Sequence, residues 1–435
     1  MAARNGWTRR HVLGAAAAGM AFSGALAAPA VIRKGSKLTY WGGLIFSDDA
    51  NKLLVRTINK WGADNGVQTE VVMINQNETV QKVSAAVESR SMPDALDLNL
   101  DLLLLLSRQG IFLPLDDLYA SVGAAQGGWY PGIDTAMATI AATGAKTGLP
   151  FGGSGNLLLR RMDVLAKAGL TKPPTTWEEL AQQAAAVTKA PLYGLGLALS
   201  NVGDGNTQVG VLQSYGGRIA DDTGKRVTIK SEETRTYLRW VKSAWDKKLF
   251  PPGNTTWDGS GDNQSFLSGQ AVFIANTGSV GIAARRDDAE LFAATGYSAL
   301  PGGPKGVVAP IDLNLRAVPK TSGNPDTAKA PIEHLANPQF MGEYYKVAIY
   351  GPVLRDQAKL AAYDGSNPIL SGLLDLIQKG TAPGFPDLYN PAYADAMNNF
   401  VVPKMIQRVV IDGWDSDRAM DEAQSRTQAI YDKYK

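Results

Sequence analysis

The amino-terminal part of the chain alternates between β-prone runs and segments whose apolar residues recur three or four positions apart. The β-prone runs are residues 37–41, 67–74 and 95–98. The helical segments carry Leu54, Ile58 and Trp61 in the first case and Val80, Val83 and Val87 in the second. Because strands that alternate with helices form parallel sheets with the helices packed on their faces, this pattern predicts an α/β fold.

Further along the chain, the clearest helix signal begins at Thr176. Thr176 and Glu179 have the spacing of a capping box, and Trp177 and Leu180 begin an apolar face. Other helices are predicted at 233–245, 264–268, 332–349 and 392–435, and a further strand at 271–274. The five leucines at 102–106 are bounded by polar residues, so they predict a buried helix turn and not a membrane-spanning helix.

The composition excludes several classes of protein. The chain has 435 residues, with 43 Lys and Arg against 41 Asp and Glu, two His and no Cys. Without cysteine there is no thiolate nucleophile, iron–sulfur cluster or thiolate zinc site, and His334 is the only histidine outside the leader described next. This length predicts two or three domains, or two lobes of one discontinuous architecture.

Residues 1–27 have the features of an export signal. Arg9 and Arg10 directly precede an Ala- and Gly-rich stretch at 14–22, and small residues at 25–27 suit a signal peptidase. This predicts a twin-arginine signal, although the two arginines also fit an ordinary Sec signal, and both routes predict a periplasmic protein. Loss of the segment removes three arginines and leaves 40 basic against 41 acidic residues, which gives no basic surface for nucleic acid.

Six segments resemble, in their order along the chain, family 1 extracellular solute-binding proteins of carbohydrate-type ABC importers, the maltose-binding-protein-like family. They are residues 110–118, 148–153, 161–180, 266–273, 300–304 and 415–423. The most specific match, Gly148-Leu149-Pro150-Phe151-Gly152-Gly153 followed by Pro174-Thr175-Thr176-Trp177-Glu178-Glu179-Leu180, resembles the family's crossover into its second lobe. Residues 276–279 and 309–314 differ from the family pattern, which argues against the common maltodextrin ligand.

The resemblance implies an α/β, two-lobed periplasmic-binding-protein fold with discontinuous lobes, a hinge and a ligand cleft between the lobes. By analogy, lobe one comprises residues 36–148 plus 308–350, and lobe two comprises residues 149–307 plus 351–435. The resemblance also implies the membrane permease subunits of an ABC importer as partners, a monomeric chain, and no cofactor or metal.

A saccharide site needs aromatic rings for the apolar faces of the sugar and polar side chains for its hydroxyl groups. Such residues follow the predicted strands, where ligands of open parallel sheets bind. They are Trp41, Asn75, Gln76 and Asn99, with Phe151 at the crossover and Trp257 and Asp258 in a Gly-, Asn- and Thr-rich loop. The resemblance adds Asp312 and Asn314, in a segment that faces the cleft in the family, and Tyr350, in a turn near the second return.

Several of these residues also fit purely structural roles. Trp41 could cover the core beside the two glycines that follow it, and Asn75 and Gln76 could cap the next helix. Tyr350 could fill the hinge. Contact with a ligand is therefore an expectation for each residue separately.

The combined prediction is an exported binding protein, and not an enzyme, that captures a saccharide or polyol by lobe closure and delivers it to the membrane permease. The alternative is an exported glycoside-active enzyme that uses a carboxylate pair. A glycosidase needs two facing carboxyl groups about 5–10 Å apart, whereas adjacent side chains point apart. The adjacent pairs at 116–117, 221–222 and 287–288 are therefore expected to form caps and turns.

Overall fold

The computed structural model describes residues 31–45 and 47–435, except for the side chains of Gln76 and Asn77. The export signal expected at residues 1–27 lies outside these residues. Within the described ranges, no helix is both long enough and apolar enough to cross a membrane.

Two sheets and the helices around them form the described chain. The strands are β1 (Lys37–Leu44), β2 (Gln68–Asn75), β3 (Ala95–Asn99), β4 (Leu149–Ser154), β5 (Leu157–Arg161), β6 (Tyr193–Leu195), β7 (Ala271–Asn276), β8 (Thr295–Ser298) and β9 (Asp312–Ala317). The helices are α1 (Asp48–Asn65), α2 (Gln76–Ser89), α3 (Leu100–Arg108), α4 (Asp116–Ala125), α5 (Pro131–Ala141), α6 (Met162–Lys167), α7 (Trp177–Val187), α8 (Thr207–Ser214), α9 (Glu232–Asp246), α10 (Gly261–Leu267), α11 (Ser279–Asp287), α12 (Ala289–Ala293), α13 (Pro325–His334), α14 (Pro338–Val347), α15 (Pro368–Lys379), α16 (Pro391–Asn398), α17 (Val401–Val410) and α18 (Ser416–Tyr431).

The first sheet has the strand order β2-β1-β3-β9-β4. Strand β1 runs parallel to β2 and β3, as the amino-terminal alternation predicts, whereas β9 runs antiparallel to β3 and β4. The second sheet has the order β6-β7-β5-β8, in which β6 and β7 are parallel and β5 is antiparallel to both of its neighbours. The chain therefore has the expected two-lobed α/β architecture, with one sheet in each lobe.

The sheets pack against two hydrophobic cores, and the second sheet contributes to both, with Leu159 of β5 in one core and Leu158 in the other. In the first lobe, Leu54 and Ile58 of α1 and Leu103 of α3 are almost completely buried. In the second lobe, Trp177 of α7 and Tyr237 of α9 are likewise almost completely buried. Burial of each such side chain contributes about 1.5–3 kcal/mol, so the two cores fix the strand ends that surround the cleft.

Strand β4 lies in the first sheet, where it pairs with β9. The lobe boundary expected after residue 148 therefore precedes the structural crossing, which occurs between Ser154 and Leu157. Gly152 permits this arrangement, because a Cβ atom there would lie 2.6 Å from Cγ of Tyr350. Only glycine lets the strand approach this aromatic ring so closely.

Polar residues begin the helices where the sequence indicates. Ser47 Oγ accepts a hydrogen bond from the Ala50 amide at 3.3 Å, and Thr176 Oγ1 accepts one from the Glu179 amide at 3.1 Å. The Glu179 carboxylate accepts a hydrogen bond from the Thr175 amide at 2.6 Å, and not from that of Thr176. The helix start is therefore confirmed, with the reciprocal bond displaced by one residue.

The two long helical regions expected near the carboxyl terminus are each divided. The region at 332–349 falls in α13 and α14, because Asn337 Oδ1 accepts a hydrogen bond from the Phe340 amide and Pro338 occupies the first turn of α14. Proline and an asparagine cap together begin a new helix. The region at 392–435 contains α16, α17 and α18.

Candidate functional site

Two cavities in the described part of the chain lie between the lobes. The larger cavity, of about 430 Å³, is lined by residues at the carboxyl ends of β1, β3 and β4, by the start of β9, and by Thr277 after β7 of the second sheet. The smaller cavity, of about 240 Å³, is lined mainly by α8, α16 and loops of the second lobe. Asp101, Asp312 and Pro383 line both cavities, so the two carboxylates stand where the cavities meet.

The structure brings half of the predicted ligand-binding residues together. Those that line the larger cavity are Asn99, Phe151, Asp312, Asn314 and Tyr350. Those that line neither cavity are Trp41, Asn75, Trp257 and Asp258. The side chain of Gln76 lies outside the described residues. The strand ends near β9 therefore converge as expected, whereas the loop that carries Trp257 does not join them.

Trp257 and Asp258 make contacts within their own loop. A Cβ atom at Gly261 would lie 2.2 Å from Cγ of Trp257, so the ring packs directly against the backbone at that glycine. The Asp258 carboxylate accepts hydrogen bonds from the amide and the hydroxyl group of Ser260 at 2.9 and 2.7 Å. Contact of these two residues with a ligand remains a prediction from the sequence.

Trp41 and Asn75 lie on the far side of the first sheet from β9. Trp41 is half-buried and packs against the core of the first lobe. Asn75 is the last residue of β2, which is the edge strand. Because β3 separates β1 and β2 from β9, both residues lie across β3 from Asp312.

Asp101 and Asp312 are exposed to the cleft but surrounded by protein. Asn99 Oδ1 accepts a hydrogen bond from the Leu102 amide at 3.0 Å, which places Asp101 in the first turn of α3. The pKa of Asp101 is raised by burial. A hydrogen bond donated by Tyr389 stabilises the charged form and offsets part of this rise. Burial, together with the negative charge of Asp101, raises the pKa of Asp312 to about 7.

A buried arginine on β9, Arg316, packs behind the aromatic wall of the larger cavity. Its guanidinium carbon is 3.9 Å from the centre of the Phe151 ring. Its Nε donates a hydrogen bond to the Tyr40 hydroxyl group at 3.1 Å and lies 3.6 Å from Asp97 Oδ1. Tyr40 in turn donates a hydrogen bond to Asp97 at 2.5 Å. Arg316 and Asp97 therefore balance each other's charge.

The aromatic rings of the larger cavity expose little surface. Phe151 is 4% exposed and Tyr350 is 5% exposed, and the two rings meet edge to face with their centres 5.8 Å apart. Stacking on a sugar requires an accessible ring face. The polar wall of this cavity therefore consists mainly of carboxylates and amides.

Several polar residues of the smaller cavity are absent from the set predicted from the sequence. Among them are Asn206, Gln213 and Tyr389. Gln213 lies on α8, and Tyr389 directly precedes Asn390, which caps α16. The Pro- and Gly-containing segment before α16 indicates a loop, but nothing local in the sequence shows that this loop reaches the first lobe.

Members of the adjacent carboxylate pairs form caps and turns, as expected. Asp221 Oδ1 accepts a hydrogen bond from the Thr223 amide at 3.2 Å within a turn, and Asp288 Oδ1 accepts one from the Leu291 amide at 2.9 Å at the start of α12. Among the described residues, no group of three or more His, Asp or Glu side chains is placed to hold a metal ion.

The sequence and the fold are similar to those of known binding proteins. Residues 50–341 match the family model for bacterial extracellular solute-binding proteins. A Brucella abortus protein described as a binding protein is 21% identical over 304 residues, which cover 69% of this chain and 72% of that protein. The sugar-binding protein MalE from Xanthomonas citri has a TM-score of 0.76 and 19% identity, with 92% of this chain and 98% of that chain covered. An ABC transporter solute-binding protein from Thermotoga lettingae bound with α-D-tagatose has a TM-score of 0.73 and 18% identity, with 91% and 100% covered.

Proposed function

Because the chain belongs to the bacterial extracellular solute-binding protein family, we propose that it captures a saccharide or polyol between its lobes and delivers it to the permease of an ABC importer. The Xanthomonas citri protein of similar fold is described as sugar-binding, and the Thermotoga lettingae protein is an ABC transporter component bound with a sugar. These likenesses support the ligand class and the transport partner. Export through the signal expected at residues 1–27 would place the protein in the periplasm.

The observation that carries this proposal is the junction of the two cavities. Asn99 and Asn314 contribute amide groups from the first lobe, and Asn156 and Asn206 contribute them from the side of the second lobe. Amide groups both donate and accept hydrogen bonds, which suits hydroxyl groups. The combined cavities have the few hundred Å³ typical of small-molecule sites.

Closure of the lobes is the mechanism that this arrangement supports. A solute in the junction contacts side chains of both lobes only when the lobes are close together. It therefore binds the closed state more tightly and shifts the population towards that state by this difference in affinity. The permease then recognises the closed, loaded protein.

Calorimetric titration of the chain without its leader tests the proposal with a panel of saccharides, polyols and amino acids. We expect a saccharide or polyol to bind, with a smaller radius of gyration in small-angle X-ray scattering. Asn314→Ala should weaken that binding by about tenfold, whereas Asn59→Ala, an exposed substitution on α1, should leave it unchanged. Binding of amino acids alone, or release of new reducing ends from oligosaccharides, would contradict the proposal.

A further inference from the structure

The cavity junction carries negative charge that the protein does not balance. Asp97 is paired with Arg316, but Asp101 has only the neutral Tyr389 hydroxyl group as a hydrogen-bond partner. The side chain of Asp312 forms no ion pair or hydrogen bond with another described residue. The charged group that affects it is Asp101. Within the described residues, no lysine, arginine or histidine lines either cavity. The junction therefore disfavours anionic solutes such as sugar phosphates.

The smaller cavity adds uncharged acceptors that lack a donor. Gln213 is 2% exposed, and its Oε1 has no hydrogen-bond partner among the described residues. Its Nε2 donates to the oxygen atoms of Asp387 at 2.8 Å, Gly384 at 3.1 Å and Tyr393 at 3.2 Å. These contacts fix the orientation of the amide, so the unpaired atom is the acceptor. Oδ1 of Asn206, whose own Nδ2 is occupied by the Met397 carbonyl group, also lacks a donor.

We propose that the solute is a saccharide that carries a protonated amino group, with its ammonium placed between Asp101 and Asp312. This inference rests on the proposed function and narrows its ligand class. An ammonium group has three donors and no acceptor, so it matches the oxygen atoms of Asp101 and Asp312, and the unpaired acceptors of Gln213 and Asn206 lie in the adjoining cavity. It also supplies the positive charge that the two carboxylates lack.

The electrostatics of the two carboxylates agree with this assignment. The charge of Asp101 makes ionisation of Asp312 less favourable, which is one reason that the pKa of Asp312 is raised. A cation between the two groups removes this repulsion and favours both charged forms. A neutral hydroxyl group in the same place relieves none of it. The rings of Phe151 and Tyr350 are almost completely buried, so stacking on a sugar contributes little binding energy here. Polar and charged contacts must therefore supply most of it.

A matched pair of disaccharides tests the inference. Fully deacetylated chitobiose and cellobiose have the same ring skeleton and linkage, and differ in an ammonium or a hydroxyl group at position 2 of each ring. In calorimetric titrations at pH 6 and low ionic strength, we expect the amino disaccharide to bind at least about tenfold more tightly. Added salt should weaken its binding and leave that of cellobiose almost unchanged.

Substitution of the carboxylates locates the effect. Asp312→Asn and Asp101→Asn should each reduce the preference for the amino disaccharide, because each variant leaves only one carboxylate beside the ammonium. Asp64→Asn, which removes an exposed carboxylate on α1, is the matched control and should keep the full preference. Thermal melts of all three variants verify that they fold.

The outcomes separate this inference from the proposed function. The inference is wrong if cellobiose or another neutral saccharide binds as tightly as its amino counterpart. It is also wrong if a sugar phosphate binds more tightly than its neutral parent. Both results leave the proposed function intact. A preference that persists in both Asn variants would also overturn it. Failure of every saccharide and polyol to bind would overturn both.

Discussion

Tyr389 joins the two lobes by donating a hydrogen bond to Asp101 on α3 of the first lobe. Its ring packs against both hydrophobic cores, and its centre lies 5.7 Å from that of the Tyr393 ring on α16. A single side chain therefore closes one side of the cleft and stabilises the charge of a carboxylate in the ligand cavity. This contact couples the position of the lobes to the electrostatics of the site.

Tyr389→Phe should favour the open state. The substitution removes only the hydroxyl group, and a hydrogen bond to a charged acceptor contributes about 1.5–3 kcal/mol, so we expect the apparent ligand affinity to fall by about tenfold or more. Calorimetry measures the affinity, and small-angle X-ray scattering should show a larger radius of gyration without ligand.

Tyr434→Phe is the matched control for this change. Tyr434 also donates a hydrogen bond to a carboxylate, that of Asp395, but it is half-exposed and lies at the end of the chain. We expect its substitution to change neither the affinity nor the scattering. Equal behaviour of the two variants would show that the bond between Tyr389 and Asp101 does not hold the lobes together.

Asp312→Asn should change the pH dependence of stability. The pKa of Asp312 is about 7 in the folded protein against an ordinary value of 3.8, so the folded state keeps a proton that the unfolded state releases between these pH values. This group therefore contributes less to the free energy of unfolding as pH rises through that window. The variant should melt at a higher temperature than the wild type at pH 8.

The advantage of the variant should become small towards pH 4, where Asp312 is protonated in the folded state and about half protonated in the unfolded state. Because water in the cleft reaches this carboxyl group, we expect a gain of less than about 1 kcal/mol. Thermal melts of both proteins from pH 4 to 8 measure the difference, in which the titration of groups that do not interact with Asp312 cancels. A constant difference across this range would show that the pKa of Asp312 is not raised.

Local patterns in the sequence predict much of the first lobe. Strands β1, β2 and β3 and helices α1 and α2 lie where alternation and helical spacing place them, because these periodicities reflect one buried face. Local patterns do not predict that β4 belongs to the first sheet. Its partners lie on β9, more than a hundred residues further along the chain, and its glycines carry no alternation of their own.

Some residues of the candidate site can be predicted from local patterns, and others cannot. Asn99 and Asp312 lie at strand ends, where the topology of an open sheet brings residues together, so sequence patterns and family resemblance find them. Tyr389 and Asp101 are 288 residues apart and lie in different lobes, so no local signal links them. For Trp257, the polar neighbours predict a ligand-facing ring, and the structure shows that this ring packs on Gly261 within its own loop, so ligand contact stays a prediction.

Trp177 and Trp257 should differ sharply when each is replaced by alanine. Trp177 is 1% exposed and meets the Trp240 ring with the centres 5.9 Å apart, so Trp177→Ala should lower the free energy of unfolding by about 3–5 kcal/mol. Trp257 is half-buried, so Trp257→Ala should cost less stability, and its effect on ligand affinity tests the contact that the sequence predicts. Chemical denaturation and calorimetry measure the two effects. Loss of affinity in Trp257→Ala would place the ligand against this ring.

Arg316→Met should destabilise the first lobe strongly. The guanidinium group is fully buried, and its removal leaves the Asp97 carboxylate as an uncompensated charge in the core. Loss of one partner from such a pair typically costs about 3–5 kcal/mol. Denaturant titration measures the loss.

The double variant Arg316→Met with Asp97→Asn separates the charge from the packing. An asparagine at position 97 keeps an acceptor for the Tyr40 hydroxyl group but needs no cation, so we expect the double variant to recover a substantial part of the stability that Arg316→Met loses. The remaining deficit reports the contact of the guanidinium group with the Phe151 ring. If the double variant is no more stable than Arg316→Met alone, the uncompensated charge of Asp97 does not cause the loss of stability. Packing of Arg316 against the Phe151 ring then accounts for that loss.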